Sequence, residues 1–199
     1  MHRYKIYVLF ALLLTCISLE AQRFEASAVA GFNFSQLDGD NLAGYNKAGI
    51  VAGAKVAAIL KPKWRLSMEL LYSQRGSRRG VREASAYDKF ALNYVEIPVM
   101  AYLTDWKVEF GAGLSYSRLF NYNIIDIGGQ DVTDSFELKN SDLALLAEAT
   151  YYVNPNFGIG LRWGRGILNI NANKADRGLV GKWFTARFVY RFNVSTLAE

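Results

Sequence analysis

The sequence contains one histidine and one cysteine, His2 and Cys16, and both lie near its beginning. An imidazole could serve as a general base or a metal ligand, and a thiolate as a nucleophile or half of a disulfide. The segment that carries them has the pattern of a secretory signal, because a basic start precedes an apolar run shorter than the ~20 residues of a membrane-spanning helix. We therefore expect residues 1–21 to be a signal peptide and residues 22–199 to form one domain.

A mature chain without imidazole or thiol lacks the nucleophile–base pairs of most hydrolases and the usual zinc ligands. Glu96 and Glu109 could be a general acid and base, but buried ion pairing explains two such carboxylates better. Four acidic residues of one long connection, Asp126, Asp131, Asp134 and Glu137, lack the spacing of a calcium-binding EF-hand loop. We predict that the protein is not an enzyme and has no cofactor and no metal site.

The composition argues against two further classes of protein, nucleic-acid-binding proteins and disordered proteins. The net charge of +5 over 199 residues is small and dispersed, so we expect no binding of nucleic acid. A content of 51% apolar and 14% aromatic residues excludes disorder as a description of the whole chain.

The elements that must position the remaining charged residues are strands. After residue 22, polar and apolar residues alternate with period two in eight segments, and no segment is apolar enough for a helical membrane span. Each segment is close to the 9 to 11 residues of a tilted membrane strand, and eight strands can close into a barrel without edges. The segments are 24–33, 49–60, 65–75, 94–103, 108–117, 142–153, 157–163 and 184–192.

The connections between these segments alternate in length. Three are tight turns, near residues 61–63, 104–105 and 154–156, whereas the other four each have a dozen residues or more. This is the layout of bacterial outer-membrane barrels, which have short periplasmic turns and long extracellular loops. The sequence therefore predicts an all-β fold, an eight-stranded antiparallel transmembrane β-barrel with up-and-down topology, in the outer membrane of a Gram-negative bacterium.

Alternation alone does not decide which face points outward, since a soluble periplasmic ligand-binding barrel would have its apolar face inside. The polar face is rich in glycine and serine, which suits the narrow interior of an eight-stranded barrel. The last strand is strongly aromatic at alternate positions. The four tryptophans also lie near strand ends, as in the two aromatic girdles of a membrane barrel; we expect interfacial positions for Trp64, Trp106, Trp163 and Trp183.

With the apolar face outward, the lumen receives charged side chains of both signs. Because an unpaired charge there would be costly, we predict a network of ion pairs that fills the barrel, and a narrow porin for small ions is the alternative. The predicted network comprises Glu25, Lys55, Glu69, Glu96, Glu109, Glu148, Arg162, Arg187 and Arg191, together with Arg65 and Arg75. Pro98 lacks the N–H of a paired strand, so we expect a bulge in the fourth strand.

Several motifs resemble those of the PorT-like outer-membrane β-barrel proteins. They are Gly31-Phe32-Asn33-Phe34-Ser35 followed by Asp38-Gly39, then Lys47-Ala48-Gly49 with Gly53, Glu69 to Gly76 (ELLYSQRG), Tyr94-Val95-Glu96-Ile97-Pro98, and Gly111-Ala112-Gly113. Their order and spacing, rather than any single motif, carry the resemblance over nearly the whole mature chain. It implies an outer-membrane barrel of this size, explains Pro98 as part of a recurring Glu-Ile-Pro element, and suggests an accessory role in protein secretion.

These observations favour a non-enzymatic outer-membrane barrel that acts in structure or protein interaction. We expect it to be a monomer, with outer-membrane lipids and other envelope or secretion proteins as partners. The second long loop is the most basic part of the chain, and its guanidinium groups suit lipid phosphates. The predicted anionic-lipid contact comprises Arg78, Arg79 and Arg82.

Overall fold

The computed structural model describes residues 24–40, 42, 44–80, 85–172 and 178–192. The described residues form eight strands and one short 3-10 helix, Thr133–Ser135. The strands are β1 (Phe24–Asp38), β2 (Lys47–Lys61), β3 (Trp64–Arg78), β4 (Tyr87–Asp105), β5 (Val108–Asp126), β6 (Ser141–Tyr152), β7 (Phe157–Gly166) and β8 (Val180–Arg191).

Each strand pairs antiparallel with the next one in the chain, and β8 pairs with β1, so the sheet closes into a barrel. This confirms the predicted fold class. The tight turns lie on one rim, the turn end, and the longer connections on the other, the loop end. The predicted signal peptide lies outside the described residues. Among the described residues, no helix is long and apolar enough to cross a membrane.

Several strands extend beyond the alternating segments seen in the sequence. β4 and β5 each have 19 residues, whereas the apolar alternation predicted about ten, and all but two of the additional residues lie at the loop end. In these extensions polar side chains such as Asn93 and Arg118 enter the outward face, so the regular alternation of apolar residues stops although the strand continues. The loops are correspondingly shorter than predicted.

The outward face of the barrel is apolar and the inward face is polar. On β1, for example, Phe24 and Phe32 are 53% and 54% exposed, whereas Glu25 and Asn33 are buried. The same period-two pattern holds on the other seven strands. A soluble barrel would show the opposite arrangement, so the apolar surface is the one that faces lipid.

Pro98 interrupts one ladder without producing the predicted bulge. On the β3 side, regular pairing ends at Met68 with Val99 and resumes at Leu71 with Glu96 in the same register. The missing N–H of Pro98 therefore removes local pairing but shifts no residue. The irregularities of β4 with β5 lie nearer the loop end, at Tyr87/Lys89 and at Asn93/Tyr94. The expectation of a bulge at Pro98 is wrong.

The barrel contains an apolar core at the loop end, above its polar interior. The members are buried side chains of strand extensions and loops: Leu37, Leu42, Phe90, Leu92, Tyr94, Leu119, Ile124, Leu138, Ile170 and Leu179. Phe90 packs edge-to-face against Tyr87 and Phe136, with ring centroids 5.5 and 5.6 Å apart. We call this group the loop-end core.

Three large aromatic side chains in the lumen lie opposite glycine in the neighbouring strand. The cross-strand pairs are Tyr102 with Gly111, Tyr152 with Gly158, and Trp183 with Gly164. A Cβ added to Gly164 would lie 2.3 Å from Cε2 of Trp183, and one added to Gly111 would lie 2.4 Å from Cε1 of Tyr102. Glycine is therefore needed at these positions because the ring occupies the space of a side chain.

The interfacial position predicted for Trp183 is wrong. Trp183 is 1% exposed and packs inside the barrel with Met100, Tyr102, Ala144 and Leu146. Its neighbour Phe184 points outward, so strand alternation necessarily places Trp183 inward.

We predict that Gly164→Ala destabilises the barrel, because the added methyl group overlaps the indole ring of Trp183. The expected loss is about 1–3 kcal/mol in the free energy of unfolding, the usual range for overpacking. The measurement is urea unfolding of the refolded protein in detergent, followed by heat-modifiable gel mobility. Gly181→Ala is the matched control, because a Cβ there would approach the same tryptophan only to 3.8 Å. Equal stability losses for the two variants would contradict the explanation.

Candidate functional site

The described part of the lumen holds twelve charged side chains, six of each sign. The carboxylates are Glu25, Glu69, Glu96, Glu109, Asp142 and Glu148, and the cations are Lys55, Arg65, Arg75, Arg162, Arg187 and Arg191. Asp142 was absent from the predicted network, although the alternation of β6 already placed it on the inward face. With Asp142 included, the formal charges of this set cancel.

The central cluster consists of two arginines held between two glutamates. The guanidinium of Arg162 lies 2.8 Å from Oε1 of Glu69 and 2.6 Å from Oε2 of Glu148. Arg187 bridges the same two carboxylates at 3.1 and 2.9 Å. All four side chains are almost completely buried. Because these residues come from β3, β6, β7 and β8, the cluster ties opposite walls of the barrel together.

Hydroxyl groups complete the coordination of Glu148. Thr150 donates a hydrogen bond to Oε1 of Glu148 at 2.9 Å, and Tyr102 donates to Oε2 at 3.2 Å. Both oxygens of this buried carboxylate therefore have partners, as the burial of a charge requires.

A second cluster lies at the turn end, around Glu25 and Glu109. Arg191 lies 2.6 Å from Oε1 of Glu109 and 3.7 Å from Oε2 of Glu25, and Arg65 contacts the same two carboxylates at 3.1 and 3.4 Å. Tyr152 donates a hydrogen bond to Oε2 of Glu109 at 3.0 Å. Residues from β1, β3, β5 and β8 therefore meet at this level.

The third cluster lies towards the loop end, around Arg75. Its guanidinium is 3.6 Å from Oε2 of Glu96 and donates a hydrogen bond to Ser117 at 2.7 Å. Glu96 also accepts a hydrogen bond from Ser115 at 2.8 Å. Asp142 is 3% exposed here, and its Oδ1 has no hydrogen-bond partner among the described residues.

Each of the three aromatic rings that cover a glycine also carries a cation over its face. Lys55 Nζ lies 3.8 Å from the ring centre of Tyr102, Arg191 lies 3.5 Å from Tyr152, and Arg75 lies 3.9 Å from Trp183. Such contacts are stronger where water is excluded. Glycine, ring and cation thus repeat as a three-layer stack at three levels of the barrel, an arrangement that residue types alone did not reveal.

The space left between these groups is small. Two cavities of about 10 Å³ each lie in the lumen, one bordered by Arg162 and Arg187 and the other by Arg75 and Asp142. Each has room for about one water molecule.

Two of the three predicted lipid-contact arginines are described by the structure. Arg78 is exposed at the end of β3, whereas Arg79 forms an ion pair with Asp88 at 3.5 Å. Arg82 lies outside the described residues. Of the predicted interfacial tryptophans, Trp64 and Trp106 are exposed at the turn end, and Trp163 lies half-buried on the outward face of β7.

Three acidic residues of the loop end, Asp40, Asp126 and Asp131, accept hydrogen bonds from backbone amides. Asp131 accepts hydrogen bonds from the amide and hydroxyl of Thr133, which lower the pKa of its carboxyl. Asp40 is buried beneath the first loop, and burial raises the pKa of its carboxyl. Among the described residues, no three histidine, cysteine or acidic side chains are arranged to hold a metal ion.

We predict that Glu109→Gln strongly destabilises the barrel, because it leaves Arg65 and Arg191 buried with too little negative charge. Breaking a buried ion pair costs about 3–5 kcal/mol. Asp105→Asn is the matched control: its ion pair with Lys63 is formed at 2.6 Å on the exposed rim, where such pairs contribute about 0–1 kcal/mol. Unfolding midpoints in urea compare the two, and a Glu109→Gln variant as stable as Asp105→Asn would show that the lumen pairs contribute little.

Comparison with known proteins identifies a family for the sequence and solved structures with a similar fold. The sequence model described as "Outer membrane protein beta-barrel domain" matches residues 19–171. No curated protein matches the sequence.

Among solved structures, the fold is similar to Neisserial surface protein A, with 19% identity, a TM-score of 0.51, and coverage of 87% of this chain and 100% of that one. It is also similar to Ail, the attachment invasion locus protein of Yersinia pestis, with 17% identity, a TM-score of 0.51, and coverage of 84% and 98%. At such identities the likeness shows the fold alone. The family match covers most of the eight-stranded barrel, and the chain belongs to the outer membrane protein beta-barrel domain family.

Proposed function

We propose that this protein is a non-enzymatic outer-membrane barrel with a closed lumen, and that its loops or its turn-end rim act in structure or protein interaction. The observation that carries the proposal is the pairing of buried charges across the barrel at three successive levels. A pore for ions needs polar groups that face water, whereas these groups face one another.

The energetics of the central cluster support a closed barrel. A hydrated ion could pass only if Arg162 and Arg187 separated from Glu69 and Glu148. Exposing one of these charges without its partner in so narrow a space would be strongly unfavourable. Beyond the clusters, an ion would also have to cross the apolar loop-end core.

We further propose that the protein is PorT-like and has an accessory role in secretion. The sequence motifs shared with the PorT-like proteins support this proposal. One of them includes Glu96 and Pro98, and Glu96 lies in the lumen against Arg75. A tagged chain crosslinked in intact outer membranes should enrich secretion proteins relative to an unrelated tagged barrel. Equal recovery of secretion proteins with both tagged barrels would contradict a role in secretion.

Conductance tests the closed lumen. We predict that the purified, refolded protein shows no stable unitary conductance in planar bilayers, because the described charges of the lumen pair with one another and the two cavities between them each have room for about one water molecule. Lys63→Ala on the exposed rim should behave in the same way. Stable unitary conductance that rises in Glu96→Ala or Arg187→Ala would overturn the proposal and support a narrow porin instead.

A further inference from the structure

Cations lie on the outward face of the barrel just beyond the apolar band at the loop end. On the half of the barrel formed by β5 to β8 they are Arg118, Arg165 and Lys182. Each is two residues from an outward aromatic side chain, namely Tyr116, Trp163 or Phe184. Aromatic residues at this level mark the interface of a membrane barrel, so the three cations are at the height of the lipid headgroups.

Two of these cations form a like-charge pair. Arg165 and Lys182 are direct cross-strand partners of β7 and β8, an arrangement that is destabilising unless something neutralises it. Lys182 forms an ion pair with Asp38, whereas Arg165 has no ion-pair partner among the described residues. Among the described residues, the negative charge on this surface therefore does not balance the positive charge.

The same arrangement occurs nearer the loop end between β3 and β4. Arg78 and Lys89 are direct cross-strand partners on the outward faces of β3 and β4. The barrel thus places like charges side by side on two outward surfaces, although inside it pairs opposite charges closely.

This contrast indicates an anion supplied from outside the chain. Guanidinium groups match the geometry of phosphate oxygens, and phosphates of membrane lipids lie directly beyond the hydrocarbon region. Next to Arg118, the hydroxyls of Tyr116 and Ser141 lie 3.1 Å apart and provide further hydrogen-bonding groups. Trp163 and Phe184 lie below, where acyl chains would pack.

We propose that Arg118, Arg165 and Lys182 bind the phosphate groups of a phosphorylated glycolipid in the outer leaflet, and that Arg78 and Lys89 extend this contact on β3 and β4. The site differs from the predicted basic loop, because its cations lie on strands at fixed spacing. It is also independent of whether the lumen conducts ions.

The test is a titration of fluorescent lipopolysaccharide into the refolded full chain in neutral detergent. The Arg118→Gln/Arg165→Gln variant should bind the lipid about tenfold or more weakly, since each cation near a lipid surface contributes several-fold to affinity. Lys61→Gln/Lys107→Gln is the control, because it removes the same charge from the turn end. Its affinity should equal that of the unsubstituted protein. Dephosphorylated lipopolysaccharide should bind the unsubstituted protein as weakly as the intact lipid binds the arginine variant.

Three results would overturn the proposal: equal affinities of the two double variants, undiminished binding of the dephosphorylated lipid, or complete displacement by inorganic phosphate alone. Heat-modifiable gel mobility verifies that each variant is folded. If the double arginine variant does not fold, Arg165→Gln alone replaces it, with an expected loss of several-fold. Unchanged affinity in that variant would count against the site in the same way.

Discussion

The fold depends on one electrostatic constraint: every charge of the narrow lumen must find its counter-charge inside the barrel. The outward face is apolar and borders lipid, so the inward face receives the polar residues of all eight strands. Glu69 is neutralised by Arg162 and Arg187 from the far side of the barrel, and Glu148 is neutralised by the same two arginines, of which Arg162 is its direct partner on the neighbouring strand. The ion pairs that neutralise these buried charges therefore also connect strands that are distant in sequence.

Packing supports the same arrangement. At Tyr102, Tyr152 and Trp183, glycine on the neighbouring strand makes room for the ring, and a cation lies over the face of the ring. The charged layers and the aromatic layers thus share residues, since Arg191 contacts both Tyr152 and Glu109. A substitution that disturbs one layer would therefore disturb the other, which links the proposed closure of the lumen to the stability of the barrel.

Most of the fold could be predicted from the sequence, because period-two alternation directly reports which residues face lipid. The prediction failed at the loop end, where polar side chains such as Asn93 and Arg118 enter the outward face of β4 and β5, so the extensions of these strands resembled loops. The interfacial position predicted for Trp183 was wrong because a tryptophan near a strand end contacts the membrane interface only if it also lies on the outward face of the strand. Register and distance were not predictable at all, and so the sharing of Glu148 by two arginines and the pairing of Arg165 with Lys182 emerge only from the structure.

The most direct test of charge compensation is a double-mutant cycle between Glu148 and Arg187, whose charged groups lie 2.9 Å apart. The free energies of unfolding of the unsubstituted protein, Glu148→Gln, Arg187→Gln and the double variant give the coupling between the two charges. Our account predicts that the double variant is more stable than the sum of the single effects implies, by at least about 1 kcal/mol, as for charges in one network. Single effects that add to within about 0.5 kcal/mol would contradict it.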